Sequence, residues 1–200
     1  MNVPGLPPAQ GLYNPEHEKD GCGIGFVVNI KGGKSHSIVQ KGLQVLENLA
    51  HRGAQGCDPC TGDGAGILLQ VPHEFLKRAA ADASVALPGA GEYGVGMVFL
   101  PTGAASRKQC ETLFEKIVAE EGARSLGWRD VPVKSDAIGV QARRTEPVIR
   151  QIFVARDMLD PAAFERKLYV IRKRVEKAVR ESAIEGREYF YVPSLSANTV

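Results

Sequence analysis

A mixed α and β domain, either α/β or layered α+β, is the fold class this chain predicts, and three observations carry it. Short apolar runs rich in β-branched residues alternate with longer stretches whose apolar residues recur at helical spacing. Glycine and proline punctuate most changes of period. The hydrophobic share of 44% and charged share of 24% are those of a soluble globular protein, and 200 residues can bury a sizeable core.

Residues 1–21 hold four of the twelve prolines and three glycines without periodicity, and read as an extended leader. Gly23–Ile30 is short, apolar and β-branched towards its end, which predicts a buried first strand closed by the turn Lys31–Lys34. From Ser37 the period changes: Val39, Leu43, Leu46 and Ala50 mark one face of a helix ending near Gly53. Ile67–Val71 returns to a buried strand, and Pro72 opens a short helix through Ala81.

A Gly/Pro/Ala-rich loop over 82–92 precedes a strand at Tyr93–Leu100. Cys110, Leu113, Phe114, Ile117 and Val118 form a helical stripe that stops at Gly122. Strands are then expected at Trp128–Val133, broken at Pro132, and at Val148–Ala155. Asp160-Pro161 is a helix start with an N-cap acceptor and proline at the first helical position. Phe164, Leu168, Ile171, Val175 and Ala178 step along one face of that helix, and Tyr189–Leu195 closes the chain as a strand. The chain ends at Val200 in or just after this strand with no polar tail, and so reads as part of a longer domain.

Charge and composition exclude several function classes. A net charge of +2 gives no electrostatic reason to expect nucleic acid or an anionic membrane as partner. No apolar run approaches the roughly 18–20 residues that span a bilayer. The leader has neither a basic n-region nor an apolar h-region, so it is no secretory signal, and the cytoplasm is the default location. Four cysteines (Cys22, Cys57, Cys60, Cys110) are too few for a disulfide scaffold and fit a reducing compartment. The basic residues between the apolar positions of the helix from Phe164 read as a solvated face.

Three features carry potential chemistry. The first is DGCGIGF at 20–26, which places Cys22 between glycines at the head of an apolar run. A thiol of ordinary pKa, about 8.5, is mostly protonated at neutral pH and needs a base. Were Cys22 the first residue of a mature chain, its own α-amine, with a pKa of about 8, would serve. The alternative is a buried structural cysteine at the start of a strand, and composition alone leaves both open. The second is the sixteen-residue run from His51 to Gly66, with five glycines, which is long for a connection. Its Gly62–Gly66 stretch is neither the dinucleotide fingerprint nor a phosphate loop. Its Cys57 and Cys60 lack a second ligand pair for zinc and a following helix for redox chemistry. The third is Arg52, next to His51, able either to bind a carboxylate bidentately or simply to lie at the surface.

The string DGCGIGFV, the helix ending in LAHRGA and the loop DPCTGDGAGILLQVPHEF together resemble the class II glutamine amidotransferase domain of the N-terminal-nucleophile hydrolases, in the form found in the large subunits of glutamate synthases. The closing FYVPSLSANTV is similar to a strand deeper in the same domain. The resemblance implies a four-layer αββα sandwich, incomplete within these residues, with 1–21 a propeptide cleaved after Gly21 and 22–200 the first part of the amidotransferase domain. It implies that Cys22 is the nucleophile, its freed α-amine the base, and glutamine the substrate, with a glutamyl thioester and released ammonia. Arg52 matches the family's HRG arginine as a site residue of unassigned role, and Asp63 falls in a family signature without a chemical role. Cys60 departs from the family pattern, which makes the cysteine pair incidental.

No cofactor is implied for these residues; FMN, a 3Fe–4S cluster, 2-oxoglutarate and an electron supplier, a small subunit or ferredoxin, are implied for the full-length enzyme. The oxyanion-hole and glutamine-gripping residues are expected beyond Val200, and missing oxyanion donors typically cost about 10²–10³ each in rate, so these residues alone are expected to be inactive. Another class II amidotransferase, or a non-catalytic module of the same fold, are the alternatives.

Overall fold

The computed structural model describes residues 8–11, 14, 23–53, 60–62, 64–157 and 160–200. They fall into two compact units, Met1–Ile67 with Asp136–Arg144, and Leu68–Ser135 with Thr145–Val200.

The second unit is built on a four-stranded antiparallel sheet of β1 (Tyr93–Leu100), β2 (Arg124–Asp130), β3 (Val148–Ala155) and β4 (Tyr191–Ser196) in the order β2-β3-β1-β4. Alternation along β1 feeds two cores at once, which is why its sequence reads as a nearly unbroken apolar run. Val98 and Leu100 join Ile152 and Val154 of β3 on one face, packed against α3 (Ala104–Glu120) and α5 (Pro161–Glu181). Tyr93 and Val95 join Phe153 on the other face, under Leu76 and Ala80 of α2 (His73–Ala81) and Val85. Glycine at 94 lets α5 approach the sheet: a Cβ there would stand 2.5 Å from Leu168 Cδ1.

The helices follow their sequence signals. Asp160 accepts the Ala162 N–H at 2.9 Å and Pro161 opens α5. Phe164, Leu168, Ile171 and Val175 are fully covered, Ala178 packs partly against the core, and Val179 completes the stripe. Gly122, with φ +67, ends α3, and Lys167 of α5 donates to the Glu121 carbonyl just beyond it.

Several elements differ from expectation. β2 begins at Arg124, four residues before Trp128, and stops at Asp130, because its pairing with β3 rather than its own apolar content sets its ends. β4 begins at Tyr191, after a 3₁₀ turn over Arg187–Tyr189. Ile67–Val71 forms no sheet strand; Leu69 and Val71 instead exchange backbone hydrogen bonds with Val200 and Asn198. The short helix α4 (Val140–Arg144) was unforeseen, since five residues carry too little periodicity to be read.

In the first unit α1 (His36–Asn48) forms where the spacing predicts it and runs into a 3₁₀ turn over Ala50–Arg52. None of its residues is buried. The expected strand at Gly23–Ile30 is not one: the segment makes no ladder among the described residues, and Ile24, Phe26, Val28 and Ile30 are exposed. A period-two apolar pattern prepares a segment for a sheet, but strand formation needs a partner's backbone.

Candidate active site

The head of the 23–30 segment lies on α1 and on the turn that follows it. A Cβ on Gly25 would come within 2.5 Å of Val45 Cγ1. A Cβ on Gly23 would meet Leu49 Cδ2 at 3.0 Å and Arg52 Cβ at 3.2 Å. Gly23 and Gly25 therefore permit close backbone approach to a helix. This brings Gly23, the residue bonded to Cys22, against the half-buried Arg52. Gly21 and Cys22 themselves, with Cys57 and Asp63, lie outside the described residues.

The 3₁₀ turn sets the position of Arg52. Its N–H donates to Leu49 O at 2.8 Å, and Gly53 N–H closes onto Ala50 O at 3.3 Å. His51 Nδ1 lies 3.0 Å from Asn48 O at the end of α1, which directs that imidazole to the helix terminus. The glycine-rich loop is held from a second direction: Gly139 N–H donates to the Cys60 carbonyl at 2.8 Å, just before α4. Gly64 has φ +88, a conformation open to glycine and costly for other residues. Gly139 was missed in sequence, because its contact with Cys60 joins residues far apart in the chain and leaves no local signal.

The cysteines separate by environment. Cys110 is fully covered in the core of α3, and burial, with Glu111 beside it, pushes its thiol up to about 11. It matches the inert, structural reading of a cysteine. Cys60 is exposed on the loop. Among the described residues no three His, Cys, Asp or Glu side chains gather to hold a metal. Among those residues, too, no helix is long and apolar enough to cross a membrane.

A family profile described as class II glutamine amidotransferases matches residues 22–200. The chain belongs to this family. Its amidotransferase relatives include the "Glutamate synthase [NADPH] large chain" of Bacillus subtilis, 45% identical over 98% of this chain and 13% of the relative. The "Glutamate synthase [NADH]" of Schizosaccharomyces pombe is 38% identical over 98% of this chain and 9% of its own length. "Ferredoxin-dependent glutamate synthase 2" of Synechocystis is 37% identical over 92% and 11%. The chain thus spans roughly a tenth of the length of these relatives.

Proposed function

We propose that this amidotransferase chain is the glutamine-hydrolysing portion of a glutamate synthase, with Cys22 as nucleophile and residues 1–21 as a propeptide removed after Gly21. The observation that carries the reading is the contact of Gly23 with Leu49 and Arg52, beside a family match that begins at residue 22. In the mature chain the α-amine of Cys22 takes the thiol proton as Sγ attacks the side-chain amide carbon of glutamine. The tetrahedral intermediate collapses, the C–N bond breaks, and the amine returns the proton to the departing ammonia. Water then cleaves the glutamyl thioester, releasing glutamate and the thiol. Arg52, whose Cβ lies beside the nucleophile's chain neighbour, steadies the loop or takes a carboxylate of the substrate.

In the longer enzyme the ammonia would aminate 2-oxoglutarate, with electrons from a small subunit or from ferredoxin. FMN and a 3Fe–4S cluster, held outside these residues, would supply the reduction. The four cysteines suit the reducing cytoplasm we assign to it.

The full domain we propose is the four-layer αββα sandwich. Two surfaces support additional layers. One is the outward side of 24–30, with Ile30 98% exposed. The other is the open part of the sheet's α2 face, where Phe99 stacks on the exposed Tyr191 at 6.0 Å.

The test is made on the longest active form of the protein. N-terminal sequencing is expected to find Cys22 first, and an electrophilic glutamine analogue is expected to label its Sγ. Cys22→Ala should lower glutaminase turnover by more than about 10³-fold. An active preparation that retains Met1 would sink the amine-as-base mechanism; full activity without modification of Cys22 would remove it as nucleophile.

A further inference from the structure

β4 changes partner at its end, and that corner has to satisfy several backbone amides. Up to Ser196 the strand pairs with β1, where Ser196 stands opposite Val95. From Asn198 onward the chain leaves β1 and pairs antiparallel with residues 69–71. Leu69 and Val200 exchange N–H···O bonds at 2.9 Å, and Val71 N–H donates to Asn198 O at 3.0 Å. The amides of residues 197, 198 and 199, at the switch itself, find their acceptors in two side chains. Ala197 N–H donates to Glu165 Oε1 at 2.6 Å. Asn198 and Thr199 N–H both reach Ser196 Oγ, at 2.9 and 3.2 Å. The Ser196 hydroxyl in turn donates to Glu165 Oε2 at 3.0 Å.

That last bond fixes the direction of the hydroxyl. With its proton committed to Glu165, the Ser196 oxygen presents its lone pairs to the two amides, so one carboxylate serves three consecutive N–H groups, one directly and two through the serine. Such charge-assisted bonds are the stronger kind. Glu165 sits on α5 between Phe164 and Leu168, both fully buried, so its backbone is fixed by the core and not by the corner it holds.

We propose that Glu165 and Ser196 form a latch that makes the partner switch of β4 possible and thereby holds the 198–200 ladder onto 69–71. The segment so held is the one the chain enters directly after the glycine-rich loop. The latch is a conformational device: opening it frees the 69–71 pairing while β1 and β3 stay paired.

Residue-resolved hydrogen exchange on the longest active form of the protein tests this, comparing Glu165→Ala, Glu165→Gln and Ser196→Ala with the parent. Glu165→Ala is expected to speed exchange of the Leu69, Val71 and Val200 amides by about tenfold or more, since losing the carboxylate leaves acceptors for three donors misaligned. Amides of Val95, Val98, Ile152 and Val154 should keep the parent rate. Glu165→Gln, which retains one acceptor oxygen, should give a smaller acceleration, as should Ser196→Ala, which spares the Ala197 bond. Parent-like exchange at Leu69, Val71 and Val200 in Glu165→Ala overturns the latch. So does acceleration of ladder and sheet amides by the same factor, which would mean a general loss of stability. Should Glu165→Ala fail to fold, the two milder variants decide on the same amides.

Discussion

At the scale of single residues, burial accounts for a thiol that does not react. With its pKa at about 11, Cys110 holds roughly one thiolate per thousand molecules at pH 8 and is shielded by the core as well. Native protein treated with iodoacetamide at pH 8 should therefore carry no label on Cys110, while the urea-unfolded chain is labelled there; peptide mass mapping reads both. A second residue-scale prediction concerns Gly94. Its Cβ, if present, would sit 2.5 Å from Leu168 Cδ1, with Leu168 fully buried and unable to retreat. Gly94→Ala should cost about 1–3 kcal/mol by overpacking. Urea unfolding followed by Trp128, the single tryptophan, which packs edge-on to Phe114 at 5.5 Å, measures it.

At the scale of elements, two arginines tie secondary structures together with very different consequences. Arg174 of α5 reaches Glu120 and Glu121 at 2.5 and 2.6 Å, but it is exposed, so solvent screens the pair and Arg174→Ala should leave the urea midpoint almost unchanged. Arg150 of β3 meets Glu111 of α3 at 2.5 Å and Asp130 of β2 at 2.7 Å, and lies over the Trp128 ring. Glu111 is only 5% exposed, and its other cation, Lys108, stands 3.9 Å away. Arg150→Ala leaves that carboxylate buried with its main counter-charge gone, which should cost about 3 kcal/mol. The contrast between the two variants in urea midpoint is the measurement; equal effects would show that burial does not set the difference. β1, β3 and α5 were legible because each carries its periodicity and its end signals within its own residues. The 23–30 segment and the 198–200 ladder were not, because pairing depends on a backbone far away in sequence.

At the scale of the whole molecule, pH sets an alkaline limit. Burial raises the Cys110 thiol from 9.0 to about 11, and burial with Glu74 nearby also raises the Tyr93 hydroxyl. A raised pKa favours the protonated form in the folded state, so its contribution is fully present below pH 9 and is lost as pH rises towards 11. The urea midpoint should hold up to about pH 8.5 and then fall across that window, and Cys110→Ala should flatten part of the fall. At the acid end Glu176 contributes in the opposite sense. Burial alone would raise it, but hydrogen bonds from Lys173 and Arg172 hold it below the ordinary carboxylate value. Its stabilisation is lost as pH falls through the acid range. Of the candidate site, Arg52 and the glycine-rich loop were legible as residue types that bind and approach closely. That Gly23 lies against Arg52, and that Gly139 holds the Cys60 carbonyl, were not, since neither contact has a local signal.

By itself the amino-acid order determined the mixed α and β class, the helical stripes, the Asp160 cap, β1 and β3, and the motifs by which the family is known. Each of these rests on side-chain size, periodicity or backbone freedom within about a dozen consecutive residues. Tertiary structure alone decided which runs became strands, where β2 and β4 begin, how the strands are ordered, and why Gly23 and Gly25 are glycines. Those outcomes depend on which distant backbone or side chain arrives alongside, and a local pattern carries no record of its neighbour in space.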